Sequence, residues 1–186
     1  MRIGWAVRPK VGEVACGDHV EIIQQPACWV IAVIDGLGHG PKAAEASTAA
    51  ATFVREHPLL PLEQLLRQCD QAITHTRGVA ITLIRIELPS LRMQHAGVGN
   101  VDLRALSATR IHPISYPGVV GGRFRRVMST EFLLQEGDVI TLFSDGISSR
   151  LDLQELPRRD AQVLAETILQ RHGKDHDDAS CAVVLC

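Results

Sequence analysis

Cys28-Trp29-Val30-Ile31-Ala32-Val33-Ile34-Asp35-Gly36-Leu37-Gly38-His39-Gly40-Pro41 joins an apolar run fit for a buried strand to a loop of alternating glycines and a helix start. The glycines permit close backbone approach and positive φ, and Pro41 suits a first helical position. The free N–H groups of such a helix start can face an anion. Asp35 is the demanding residue, because a carboxylate ending a buried strand needs hydrogen bonds, a cation or a metal to be tolerated. Two readings fit this stretch alone: Asp35 opens a tight turn or caps the helix, or it serves a site.

The rest of the chain bounds the choice. Its 186 residues, 46% hydrophobic and 22% charged, suit one soluble domain spanning 1–186 with a sizeable core. A formal charge of −2 gives no electrostatic basis for a nucleic-acid or acidic-membrane partner. The start, Met1-Arg2-Ile3-Gly4-Trp5, lacks the apolar core of a secretory signal, and no apolar run is long enough to span a bilayer, so a cytoplasmic protein is expected. Cys16, Cys28, Cys69, Cys181 and Cys186 contain no C-x-x-C pair and are odd in number, which argues against a disulfide framework and a zinc knuckle.

Periodicity places strands at 2–8 and 19–25 around a polar turn holding Gly12, Gly17 and Asp18. Helical spacing follows from Pro41 to about His57 and from about Leu62 to Thr76. Strand patterns then occupy 79–88, 91–95, 101–106, 123–128 and 139–143, separated by Gly-, Pro- and Asn-rich turns. A last helix over about 160–172 has Asp160 as N-cap and Gly173 at its end, and 180–185 forms a closing strand. This order predicts a layered α+β fold with mainly antiparallel sheets rather than a βαβ array.

The opening motif has an echo. Asp138-Val139-Ile140-Thr141-Leu142-Phe143-Ser144-Asp145-Gly146 is again an apolar strand ending in Asp-Gly, while Gly17-Asp18 lies in the first turn and Asp177-Asp178 precedes the closing strand. Converging carboxylates repel one another unless cations neutralise them, and all-oxygen ligation suits hard ions such as Mg²⁺ or Mn²⁺. Paired ions of this kind activate a water and clamp a phosphate for in-line attack. Singly, Asp18 and Asp178 are equally readable as solvated turn residues; the set carries the weight.

At this set the chain resembles the metal-dependent type 2C serine/threonine protein phosphatases, and within them the small bacterial branch that includes SpoIIE and RsbX. Gly17-Asp18, the Asp35-Gly-Leu-Gly-His-Gly40 loop, Gly97-Val-Gly-Asn100, Pro117-Gly-Val-Val-Gly-Gly122, Ser144-Asp-Gly146 and Asp177-Asp-Ala-Ser180 occur in the family's order. The resemblance implies a four-layer α-β-β-α sandwich, two antiparallel sheets flanked by helices. It implies that Asp35 bridges two divalent cations, Mn²⁺ or Mg²⁺, and that the Gly36 carbonyl helps bind one through water, with Asp18 on that side. Asp145 and Asp177 would hold the other, with Asp178 adjoining. Catalysis would run through water activated between Asp35 and Asp145. The substrates implied are phosphoserine and phosphothreonine on regulatory proteins, with STAS-domain stressosome scaffolds as partners.

The chain departs from that pattern at three places. Gly17 stands where eukaryotic members have a glutamate, Leu37 replaces the histidine that often follows the bridging Asp-Gly, and Asn100 falls where many members carry a third-metal aspartate. His39 is the remaining candidate general acid, a helix-start or structural role being its other reading. Arg123 and Arg125, in Gly122-Arg-Phe-Arg-Arg-Val127, can present guanidinium groups to a phosphoserine or an acidic partner surface, or simply form a solvated sheet face. Arg8 lies ten residues before Asp18, a poor fit to the family's phosphate-binding arginine.

Other readings fail on particulars. His172, Asp175, His176, Asp177 and Asp178 evoke an all-helical His/Asp hydrolase, but strand patterns dominate. A calcium loop from Asp35 would need a glutamate where Ala46 stands. The glycine loop lacks both G-x-G-x-x-G spacing and a P-loop Lys-Ser/Thr. Two function classes remain, a phosphatase and a catalytically silent module of the same fold that docks regulatory proteins. Retention of Asp18, Asp35, Asp145 and Asp177 together favours the enzyme.

Overall fold

The computed structural model describes residues 1–186. In chain order its strands are β1 (Arg2–Arg8), β2 (Asp18–Gln25), β3 (Cys28–Gly36), β4 (Val79–Glu87), β5 (Arg92–Val98), β6 (Asp102–Leu106), β7 (Gly118–Val119), β8 (Arg123–Phe124), β9 (Thr130–Leu133), β10 (Val139–Phe143) and β11 (Ala179–Leu185). The α-helices are α1 (Pro41–Glu56), α2 (Leu62–Ala72) and α3 (Ala161–His172). One sheet runs β2-β3-β4-β5-β9, a second β1-β11-β10-β6, and β7 and β8 form a separate hairpin; every strand pair is antiparallel.

The period-2 geometry of β3 explains why its sequence is continuously apolar. Val30, Ala32 and Ile34 project to one face, where they join Ala46, Ala50 and Val54 of α1 and Leu62, Leu65 and Leu66 of α2. Ile31 and Val33 project to the other, against Ile140 and Leu142 of β10 and Ala182 and Val184 of β11. Strand β11 repeats the device: Cys181 and Val183 pack with Leu164, Ala165 and Ile168 of α3. A strand buried on both faces has no polar alternation to keep. The result is the four-layer α-β-β-α sandwich, with α1 and α2 outside one sheet and α3 outside the other.

Alanines at 43, 46, 50 and 51 are fully or almost fully buried and let α1 lie close to β3. Asp160 caps α3 through its Oδ1, which accepts from Val163 N at 3.0 Å. Gly173 ends that helix with φ −68°, so no left-handed cap is used. No helix is long and apolar enough to cross a membrane.

Several boundaries differ from the sequence expectation. Helix α2 stops at Ala72 instead of running to Thr76, where the Thr76 hydroxyl turns back to Ile73 O. The strand expected over 123–128 is only Arg123–Phe124, because its partner Gly118–Val119 is equally short and Val127 leaves the ladder to enter the core. Strand β9 was not anticipated; it adds an edge beside β5. Asp18, expected in a turn, is the first residue of β2, opposite Asp35.

Candidate metal centre

The β2–β3 register sets Asp18 against Asp35 at one end of the sandwich. The other sheet delivers its own carboxylates to the same end, Asp145 just after β10 and Asp177 just before β11. Ser144 couples the sheets: its hydroxyl donates to Asp18 Oδ2 at 2.5 Å, while the same Oγ accepts from Ser180 N at 3.0 Å. Asp35, Asp145 and Asp177 then line one open cavity of about 350 Å³, with Asn100, Leu37 and Gly38 on its walls.

The surrounding backbone and the carboxylates are held by neighbours on and behind the cavity wall. Asp178 is 2% exposed, and its carboxylate oxygens accept from Lys10 N (2.8 Å) and Gly17 N (2.9 Å), which fastens the β1–β2 loop beside Asp18. Gly146 packs so tightly on this segment that a Cβ there would lie 1.8 Å from Asp178 O. A Cβ on Gly36 would lie 2.2 Å from Ala43 O, so only glycine lets β3 run directly beneath α1. Asn100 Nδ2 donates to Asp145 Oδ2 at 2.6 Å, and Lys174 Nζ donates to the Asp145 carbonyl at 2.5 Å.

The electrostatics are unbalanced. Burial, reinforced by the charges of Asp18, Asp145, Asp177 and Asp178, pushes the Asp35 carboxyl up to about 8. Burial likewise raises Asp18 to about 7, although the Ser144 hydrogen bond partly offsets it. No ion pair reaches Asp18, Asp35, Asp145 or Asp177. A convergent set of carboxylates, Asp18 buried and Asp35 half-buried, without a protein cation is chemically suited to a hard divalent ion. No three carboxylate, imidazole or thiolate side chains form a closed cage around one point. Any ion held here would therefore complete its shell with carbonyl oxygens and water, as Mg²⁺ commonly does.

The remaining predicted residues fall outside this cavity. His39 Nδ1 lies 2.9 Å from Glu13 Oε1 on the β1–β2 loop, and the imidazole is absent from the cavity wall. Arg8 is committed to Lys174 O and Asp175. Arg123 and Arg125 line a neighbouring cleft that shares Gly118 with the carboxylate cavity. Sequence reasoning missed the parts played by Ser144 and Lys174. The position of Ser144 directly before Asp145-Gly146 was the available signal for the first; the second had none.

Comparison with known proteins agrees with this architecture. The family model for stage II sporulation protein E (SpoIIE) matches residues 25–185. Phosphoserine phosphatase RsbX of Bacillus subtilis (strain 168) is 26% identical over 141 residues, covering 75% of this chain and 71% of that protein. A solved chain described under "The bacterial stressosome: a modular system that has been adapted to control secondary messenger signaling" superposes with a TM-score of 0.93 at 30% identity, covering 98% of this chain and 97% of its own. RsbX in complex with magnesium superposes with a TM-score of 0.84 at 21% identity, covering 96% and 92%. The chain belongs to the SpoIIE family of type 2C phosphatase domains.

Proposed function

We propose that this chain, as one domain over residues 1–186, is a metal-dependent protein serine/threonine phosphatase. The observation that carries the proposal is the Asp35 cavity: half-buried Asp35 from one sheet meets Asp145 and Asp177 from the other, without a protein cation paired to any of them, in a cavity open to solvent on one side. Asp18, Asp35 and, through water, the Gly36 carbonyl would hold one divalent ion, and Asp35, Asp145 and Asp177, with water filling out the shell, another, either Mn²⁺ or Mg²⁺. Bound there, such ions supply charge neutralisation, a water of lowered pKa and a clamp for phosphate oxygens.

The protein's own groups prepare that chemistry. Ser144 ties up Asp18 Oδ2 and Asn100 ties up Asp145 Oδ2, which fixes each carboxylate and leaves its second oxygen for ligation. Leu37 on the cavity wall offers no proton, and His39 is engaged by Glu13. Protonation of the departing serine oxygen accordingly falls to solvent in the open cavity.

Phosphorylated regulatory proteins are the proposed substrates, stressosome scaffolds with STAS domains among them, by analogy with the RsbX and stressosome relatives. The cytoplasm is the proposed site of action, and unpaired cysteines throughout the chain suit a reducing compartment. A silent binding module is not favoured, since every carboxylate of the set is retained in place. The test is hydrolysis of a phosphoserine peptide. Turnover is expected with Mn²⁺ or Mg²⁺ and not with chelator, and Asp145→Asn should lower it by more than about a hundredfold, beyond the usual cost of losing an outer-shell partner. Metal-independent turnover would overturn the proposal.

A further inference from the structure

We infer that the arginine cleft beside the carboxylate cavity is a specificity subsite for an anionic side chain, a carboxylate or a second phosphate, flanking the phosphoserine of the substrate. The inference rests on the phosphatase reading of the neighbouring cavity and names the class of sequence that site prefers.

The cleft measures about 440 Å³ and is walled by Arg123, Arg125 and Arg126 together with Tyr116, Gly118 and Phe124. Gly118 also lines the carboxylate cavity, so the two adjoin. None of the arginines takes part in an ion pair, although the chain as a whole has net negative charge. Three guanidinium groups concentrated on one cleft repel each other and gain from a shared anion.

The cleft is also built in advance. The Arg126 guanidinium lies 5.4 Å above the Tyr116 ring and donates to Met128 Sδ at 2.7 Å; Arg67 of α2 lies 5.9 Å from the Phe124 ring centre. The supporting hairpin is pinned to the sheet by paired backbone bonds between Val79 and Val120 (2.8 and 2.9 Å) and between Tyr116 and the Gly97–Gly99 segment (2.9 Å each). From the far side, Gly121 N donates to Asp70 Oδ1 at 2.7 Å. The floor depends on Gly118, whose φ is +144° and whose Cβ would lie 2.4 Å from that of Phe124. Arginines mounted on a fixed hairpin lose less side-chain freedom on binding than arginines on a mobile loop.

The experiment compares kcat/KM for peptides sharing one phosphoserine, flanked by aspartates, by a second phosphoserine, by alanines or by lysines. The wild type should favour the anionic flanks over alanine by about fivefold or more and disfavour lysine, the scale of partly exposed charge pairs acting together. The aspartate and phosphoserine arms show which anion the cleft takes. Combined Arg123→Ala, Arg125→Ala and Arg126→Ala should bring the anionic-to-alanine ratio to near one. The single Arg125→Glu should shift the ratio toward lysine, and supplies the readout if the triple variant fails to fold. Equal turnover of all flanks by the wild type, or an unchanged preference in Arg125→Glu, would overturn the subsite. Failure of the phosphatase reading looks different: no peptide is hydrolysed, and the subsite is then read from fluorescence anisotropy of the same peptides, where equal affinities would overturn it.

Discussion

Asp35 has no compensating cation in the protein, and its energetics follow from that. Asp18 and Asp35 titrate at about 7 and about 8 in the fold, against an ordinary 3.8. A carboxyl whose folded pKa is raised binds protons more tightly folded than unfolded, so its stabilising contribution is complete below about 4 and is lost as pH rises through 7 to 8. The metal-free protein should therefore lose thermal stability between pH 5 and 9, and Asp35→Asn should flatten that decline and melt higher than wild type at the upper end. Thermal melts in chelator across this range provide the check. The aspartates themselves were legible because each ends or precedes an apolar strand, a costly place for a charge. Their partners were not: Ser144 reaches Asp18 across 126 positions of sequence, and Glu13 reaches His39 across a different loop. Such pairings arise only when separate sheets meet.

Among the elements, those with a long buried face were readable and those without were not. Strands β3, β10 and β11 are buried along nearly their whole length, so the apolar run alone marked them. β7 and β8 have two residues each and β9 four at a sheet edge, so β8 was placed but drawn too long, and β7 and β9 carried too short a signal to be placed. The turn after β10 is the element on which the site depends most. Gly146→Ala would drive a methyl group into the Asp178 carbonyl, whose backbone also positions Asp177. Backbone must move to accept it, costing roughly 1–3 kcal/mol or more. The expected outcome is a lower melting temperature together with loss of phosphopeptide turnover. Wild-type behaviour in that variant would show that the close approach of the two segments is dispensable.

At the scale of the whole molecule, the site lies where the two sheets meet, each contributing carboxylates to it. Divalent ions held by Asp18 and Asp35 from one sheet and by Asp145 and Asp177 from the other, as proposed, would act as a clasp on the sandwich. A ligand present at a hundred times its Kd stabilises the folded state by about 2.7 kcal/mol. For a chain of this size that corresponds to a melting temperature raised by roughly 5–10 °C. Saturating Mn²⁺ or Mg²⁺ should produce such a rise at pH 7.5, reversed by chelator, and Asp145→Asn should abolish most of it. A layered α+β order with antiparallel sheets was foreseeable from the succession of strand and helix patterns, and its four layers only from the family resemblance. Which ends of which strands share a rim was not, since that depends on register between segments far apart in sequence.

The central claim is that this rim is a centre for two divalent ions organised by Asp35. Calorimetric titration of the metal-free protein with Mn²⁺ at pH 7.5 tests it most directly. Two ions per chain are predicted for the wild type, with binding at both positions weakened in Asp35→Asn and at only one in Asp145→Asn. Absence of binding in the wild type, or an isotherm unchanged by Asp35→Asn, would contradict it.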